Sequence, residues 1–412
     1  MISTLAPTMT ACRACTSNDL FLYLPLGEHP PANAFLKPEQ LGLTERKYSL
    51  DTHVCLHCGL IQVPDVLPPD FFEDYVYVPS ASDTMHRHFA AVARRFKNEL
   101  VHGSDQLVVD IGCNDGLLLK ACRDEGLATL GVDPSKNIAE IARARGIEVF
   151  NEYFTAESAA RIRAAYGPAQ VIVTTNTFNH IDNLHGFVQG VTTLLADDGT
   201  FVIEVPQALT CVEDNEFDTV YHEHLSVFSV ASVAALGAFF GLQVVDIDEL
   251  PIHGGSMRLY LRRQGPPKPI VAEWLAREQR AGLFEHDTYV AHAARVELIR
   301  VKLMTMLADL KQAGKRLAGY GAPAKGSTLL NYYGIGPDIL DFLADRNTLK
   351  QGRFSPGTHI PVVSPDEIAK QKPDYLLILA WNFAAEIMEQ QAAFRAAGGK
   401  FIIPIPQPRI VG

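Results

Sequence analysis

From residue 106 onward the chain alternates short apolar runs with amphipathic stretches. The run 106–110 (QLVVD) ends at a glycine-bearing turn, and Leu117–Asp124 follows with helical periodicity. Runs 128–133, 147–150, 169–174 and 199–204 read as further strands, with a helix over 137–145. Strands that alternate with helices predict a parallel, doubly wound sheet.

The pattern changes over 271–311, which is rich in Ala, Leu, Arg and Glu and has helical spacing, with no glycine from 283 to 313. This predicts a helical connector. A second α/β unit then begins, with strands expected over 316–319, 339–344, 375–379 and 401–404 and helices starting near Ala324, Pro365 and Ala384. The expected fold class is α/β: a small N-terminal domain (1–75), a central Rossmann-like domain (76–265), and the connector with a C-terminal Rossmann-like domain (266–412). The two α/β units share architecture without a strong sequence repeat.

Composition narrows the possibilities. The chain has 412 residues, 47% apolar and 20% charged, a globular balance with enough chain for several cores. Its net charge of −11 disfavours a nucleic-acid partner and favours a small-molecule one. No apolar run reaches the roughly 18 residues that span a bilayer, so no membrane partner is expected. The first residues, MISTLAPTMT, lack a basic and an apolar region, so they do not read as a signal peptide. Seven cysteines, a low and odd number, fit a reducing cytoplasm better than a disulfide scaffold.

Four of those cysteines crowd the first 58 residues as Cys12-Arg-Ala-Cys15 and Cys55-Leu-His-Cys58, with 39 residues between the pairs. Two Cys-x-x-Cys knuckles point to one tetrahedral zinc. Four thiolates leave no open position, so the metal is expected to be structural. Redox dithiols, the alternative, come singly beside a βαβ unit. The long gap should hold a small sheet, with 48–53 as one strand.

The run Val109-Asp110-Ile111-Gly112-Cys113-Asn114-Asp115-Gly116 is not the dinucleotide fingerprint. It has the D/E-x-G-x-x-x-G spacing of class I S-adenosylmethionine (SAM) methyltransferases, in which glycines let the backbone approach the ligand. Asp133 ends the second strand, 21 residues past Gly112, where a carboxylate meets a ribose diol. Glu152 and Tyr153 follow the third strand at the expected adenine side, and Asn176 follows the fourth. The cofactor contacts expected are therefore Asp110, Gly112, Asn114, Asp115, Gly116, Asp133, Glu152, Tyr153 and Asn176. A ligand-free structural turn is the plainer alternative.

Two histidine constellations follow. Asn176-Thr-Phe-Asn-His180 lies at the carboxyl edge of the sheet, where open α/β folds bind ligands. Tyr221-His222-Glu223-His224 precedes an apolar segment, and on a helical turn Tyr221 and His224 would share a face. Acid/base chemistry, a metal site using His222 and His224, and a solvated turn are all open readings. Tyr75 and Tyr77 either line a pocket or pack at a domain junction, and His253-Gly-Gly255 reads as a tight turn at a cleft.

Gly319-Tyr-Gly321-Ala-Pro-Ala-Lys325-Gly326 joins a strand to a helix. Backbone amides at such a turn form an anion site, and Lys325 adds a point charge suited to a phosphate. Asp345 ends the next strand, opposite a ribose, and Arg346, Asn347 and Lys350 are placed to face phosphate or base. A turn that binds nothing is the alternative.

Taken in order, the cysteine pairs, VDIGCNDG at 109–116, NTFNH at 176–180, YHEHLSVFS at 221–229, PIHGGSMR at 251–258 and GYGAPAKG at 319–326 resemble the nucleotide-sugar C-methyltransferases, which include the 3-C-methyltransferases of tetronitrose, mycarose and noviose pathways. The resemblance spans nearly the whole chain. It implies a SAM cofactor, a structural zinc, and a sugar nucleotide held between the last two domains; the residues read as its contacts are Gly321, Lys325, His253 and Asp345. It also implies catalytic roles for Tyr77, His180, Tyr221, Glu223 and His224, with His224 as base. The expected reaction is methylation at C3 of a nucleotide-linked 4-keto-6-deoxysugar through an enolate. The competing readings are an O- or N-methyltransferase on another small metabolite and a zinc-ribbon nucleic-acid-binding protein.

Overall fold

The computed structural model describes residues 9–68, 71, 83–103 and 105–412. The central sheet has seven strands in the order Gln243–Leu250, Ser256–Arg262, Leu195–Pro206, Ala169–Thr175, Leu107–Ile111, Ala128–Val132 and Val149–Phe150. The last five run parallel and match the runs expected from the sequence. Successive residues of Leu107–Ile111 enter different cores. Val109 and Ile111 join the cluster that holds Phe187 and Val191, whereas Val108 packs with Phe89, Val92 and Phe96 of the preceding helical segment. Both faces are covered, so a parallel strand is apolar throughout.

The strand Ser256–Arg262 is antiparallel to both of its neighbours. Neither it nor Gln243–Leu250 stands out as an apolar run, because Asp246, Asp248 and Arg258 interrupt them. Two of those charges meet across the strands, where Arg258 Nη1 lies 3.3 Å from Asp248 Oδ2, whereas Asp246 pairs with Arg95 at 2.6 Å.

At the N-terminus an antiparallel sheet of Leu20–Leu24, Thr52–Cys55 and Ile61–Gln62 takes its fourth strand, Ser226–Val227, from the central part of the chain. The run 48–53 is not one strand. Tyr48–Ser49 pairs with Glu28–His29, and Thr52–Cys55 joins the larger sheet. The break comes where Leu50 turns into the core and Asp51 Oδ1 accepts the Gly27 N–H at 3.0 Å.

The connector is two helices, Pro269–Arg280 and His286–Gln312. They part at Gly282, whose φ of 70° suits a glycine. The C-terminal sheet runs Val362–Val363, Leu343–Ala344, Leu317–Tyr320, Tyr375–Ile378, Lys400–Ile403 and Arg409–Val411, parallel except for the last strand. Among the described residues no helix is long and apolar enough to cross a membrane.

Candidate active site

The first glycine loop follows Leu107–Ile111, with Gly112, Asn114 and Gly116 all at positive φ. A Cβ at Gly112 would lie 2.2 Å from Thr177 Oγ1, so the loop is pressed against the segment that carries Asn176 and His180. Asn176 also adopts a positive φ, and its N–H is bonded to the Glu204 carbonyl at 2.8 Å. The Asp133 carboxylate stands across the same edge. One of its oxygens accepts the Asn114 N–H at 3.0 Å, and the other accepts the Ser135 N–H at 2.9 Å. Each carboxylate oxygen has a second lone pair, so Asp133 keeps acceptor capacity for a diol.

Asp110 is buried, and its Oδ1 has no hydrogen-bond partner. Burial, with Asp133 and Glu204 nearby, pushes its pKa up to about 8. An orphaned carboxyl beneath a loop of left-handed residues fits a polar ligand that approaches the backbone closely, as SAM does in the expected site. The Asp115 carboxylate is fully buried and paired with Arg145 at 2.8 Å. Glu152 is half exposed and paired with Arg161, and Tyr153 is exposed.

The histidine loops converge. Residues 221–224 form a turn, not a helix, closed by the His224 N–H on the Tyr221 carbonyl at 2.7 Å. The two side chains still meet. Their rings lie with centroids 3.9 Å apart, tilted by 31°, and the Tyr221 hydroxyl is hydrogen-bonded to His224 Nε2. His224 Nδ1 lies 3.0 Å from the Thr219 carbonyl, so Nδ1 carries the proton and Nε2 presents its lone pair. The His180 ring is 5.3 Å from the His224 ring. Burial lowers the His180 pKa to about 4, leaving a neutral imidazole near pH 7. Glu223 is buried, and its Oε1 accepts the Asn33 amide at 2.6 Å. His222 faces elsewhere and donates from Nε2 to the Tyr48 carbonyl at 3.0 Å. A metal held by His222 and His224 therefore has no support: among the described residues only the four cysteines are grouped for a metal.

The C-terminal unit packs onto this edge through the helix Ala324–Tyr333, where Thr328 Oγ1 donates to the Val220 carbonyl at 3.1 Å. Its glycine loop repeats the first loop's geometry. Gly321 has a φ of 83°, and Asp345 accepts the Ala322 N–H at 2.6 Å. Lys350 Nζ donates to the Ala322 carbonyl at 2.8 Å and interacts electrostatically with Asp345 and Glu223. Lys325, expected at a phosphate, is instead 3.5 Å from Glu216 Oε2 and 4.9 Å above the Trp381 ring. Trp381 in turn donates to Asp218 at 2.7 Å. A cation already matched by two buried carboxylates does not present a net positive cradle. His253 sits on the turn Ile252–Gly254, which closes over Glu216: a Cβ at Gly254 would lie 2.4 Å from Glu216 Oε1. Tyr75 and Tyr77 lie outside the described residues.

Cys12, Cys15, Cys55 and Cys58 bring their sulfurs within 4.8 Å of one another, with closest pairs at 3.6 and 3.5 Å. A tetrahedral zinc with bonds of about 2.3 Å needs sulfurs about 3.8 Å apart, so the donor set fits.

Sequence reasoning missed one cluster at the carboxyl edge. Glu204 is fully buried, with His88 Nε2 at 2.8 Å and Arg258 Nη2 at 2.7 Å. These partners hold its pKa at about 2 despite burial. The only signal was Arg258 at the end of PIHGGSMR. Asn33 carried none.

Comparison with known proteins supplies the family. Residues 12–72 match a family described as "Putative zinc binding domain", residues 85–247 a "Methyltransferase domain", and residues 251–406 the "C-methyltransferase C-terminal domain". The chain is 37% identical over 404 residues to C-methyltransferase NovU of Streptomyces niveus, covering 97% of this chain and 96% of that one. Among solved structures, a SAM-dependent methyltransferase from Anabaena variabilis is 18% identical, covering 43% of this chain and 86% of that one at a TM-score of 0.35. A SAM-dependent methyltransferase from Archaeoglobus fulgidus is 16% identical, covering 40% and 72% at a TM-score of 0.33. The match to a relative along almost its entire length shows that the chain belongs to the C-methyltransferases, SAM-dependent enzymes here joined to an N-terminal zinc-binding domain.

Proposed function

We propose that the enzyme methylates C3 of a nucleotide-linked 4-keto-6-deoxysugar, with the sugar nucleotide lying between the central and C-terminal units. The observation that carries this reading is the meeting of Tyr221, His224 and His180 beside the first glycine loop. Methylating carbon requires a nucleophilic carbon, and a 4-ketone acidifies the proton at C3.

In this reading His224 Nε2 takes the C3 proton, and the C3–H electron pair moves into an enolate whose charge rests on the 4-oxygen. The Tyr221 hydroxyl, bonded to that nitrogen in this structure, turns to the substrate. His180, a neutral imidazole, donates its N–H toward the enolate oxygen. Glu223, held by Asn33 and facing Lys350, orients the sugar. SAM, when bound, supplies the electrophilic methyl group. Asp133 and the loop from Gly112 to Gly116 hold that cofactor, and the four cysteines hold a structural zinc.

The test is proton exchange at C3 in D₂O with TDP-4-keto-6-deoxyglucose, run beside turnover. Exchange needs the base and not the methyl donor. His224→Asn should lose both by about 10²–10⁴-fold while SAM still binds. Near-normal values for both would move the base elsewhere. Turnover without any exchange in the wild type would instead indicate methylation of a heteroatom.

A further inference from the structure

The two histidine loops come from distant parts of the chain, yet one body touches both. We propose that the four-cysteine module clamps the two loops into register and that Arg13 is a positioning residue for the reaction. The inference rests on the reading of His180 and His224 as reacting groups.

Arg13 lies between Cys12 and Cys15, and its side chain is only 10% exposed. Its Nε donates to Asp182 Oδ1 at 2.9 Å, two residues past His180. Its Nη1 donates to the Val63 carbonyl at 2.7 Å, and its backbone N–H to Gln62 Oε1 at 3.1 Å. The next residue of the knuckle, Ala14, accepts His185 Nε2–H on its carbonyl at 3.0 Å. The first knuckle therefore holds the segment that follows His180.

The second knuckle holds the other loop. The Cys58 carbonyl accepts the Ser229 hydroxyl at 2.6 Å, Val63 N–H donates to the Leu225 carbonyl at 3.1 Å, and Ile61 pairs with Val227 in the shared sheet. Asn33 adds the bond to Glu223. The planar fork of Arg13 ties both sides together, because its Val63 contact lies on the segment that bonds to the 221–229 loop. Reacting groups on two loops are productive only within a fraction of an ångström, and a misplacement of about 1 Å costs as much as about 10²-fold in rate.

The experiment uses the full chain loaded with zinc, as Arg13→Gln and Asp182→Asn. Both should keep one zinc per chain and unchanged SAM affinity by calorimetry. Amide hydrogen exchange over 176–185 should rise about tenfold, with none over Leu117–Asp124, a local opening without global unfolding. Turnover of TDP-4-keto-6-deoxyglucose should fall about tenfold with little change in KM, the pattern of lost alignment. Wild-type exchange over 176–185 in the zinc-loaded variants would overturn the proposal. If Arg13→Gln sheds its zinc, Asp182→Asn, outside the knuckle, decides alone. His180→Asn and His224→Asn run in parallel: full turnover in both defeats the catalytic reading, whereas their inactivity beside normal Arg13 and Asp182 variants defeats only the clamp.

Discussion

The hydroxyl of Tyr221 is hydrogen-bonded to Nε2 of His224, while the Thr219 carbonyl holds the opposite ring nitrogen at 3.0 Å. A carbonyl can only accept, so the tautomer is set and the basic lone pair lies under the tyrosine. Tyr221→Phe keeps the ring contact and removes the hydroxyl. Turnover should fall about 10²-fold, the typical effect of removing one donor from a reacting oxygen, with SAM affinity unchanged. Steady-state kinetics and calorimetry check this, and a fall below tenfold would make the hydroxyl a bystander.

Asp133 holds two backbone amides of its own chain, and in the proposed reading it also holds the cofactor. Asp133→Ala should therefore weaken SAM binding by about 1.5–3 kcal/mol and also lower the melting temperature of the free enzyme. Calorimetry with a thermal melt separates the two effects. A normal melting temperature would mean that the loop does not depend on this carboxylate.

Lys325→Met removes the cation from two buried carboxylates. Stability should drop, toward the lower end of about 3–5 kcal/mol, because Glu216 can take a proton. Burial raises the Glu216 pKa to about 7, above its ordinary value. That value already includes the lowering by Lys325, so without the lysine the Glu216 pKa lies higher still; the variant's deficit should be largest at high pH and shrink as pH falls toward about 7, below which both proteins carry the proton. Denaturation at pH 8.5 and 6 tests this. A higher KM for the sugar nucleotide with unchanged stability would restore Lys325 to a phosphate.

His292 is fully buried in the helix His286–Gln312 beside Tyr23, and neither ring nitrogen has a hydrogen-bond partner. Burial lowers its pKa to about 3. The folded state keeps it neutral while the unfolded chain protonates it below about pH 6.5, so its destabilising effect grows as pH falls, by about 1.4 kcal/mol per unit. His292→Leu should therefore gain on the wild type as pH drops from 7 to 5. A constant gap in denaturation midpoints would show that the imidazole is not held neutral.

Chelation of the metal should cost both fold and activity. Structural zinc contributes folding energy directly, and here the same module shares a sheet with the 221–229 segment. Cys12→Ser should give poor soluble yield and substoichiometric zinc by metal analysis. Active, fully folded enzyme without zinc would contradict this.

The amino-acid sequence alone determined the elements whose signals are local. The parallel strands are continuous apolar runs because both faces of the sheet are covered. The helix Leu117–Asp124 starts after Gly116, whose φ of 76° few other residues adopt. The glycine loop, Asp133 and the cysteine knuckles are legible for the same reason: each is a short spacing dictated by backbone geometry or metal coordination. Only the tertiary structure decided how those pieces meet. Asn33 bonds Glu223 across 190 residues, and Arg13 bonds Asp182 across 169. Lys325 went to Glu216 because the C-terminal helix docks against the 216–220 segment, which no local pattern encodes. The strand Ser226–Val227 is too short to announce itself and exists only because Ile61–Gln62 offers an edge. Periodicity reports which face of an element is buried; which partner buries it depends on packing and on polar groups that each need a complement once water is excluded.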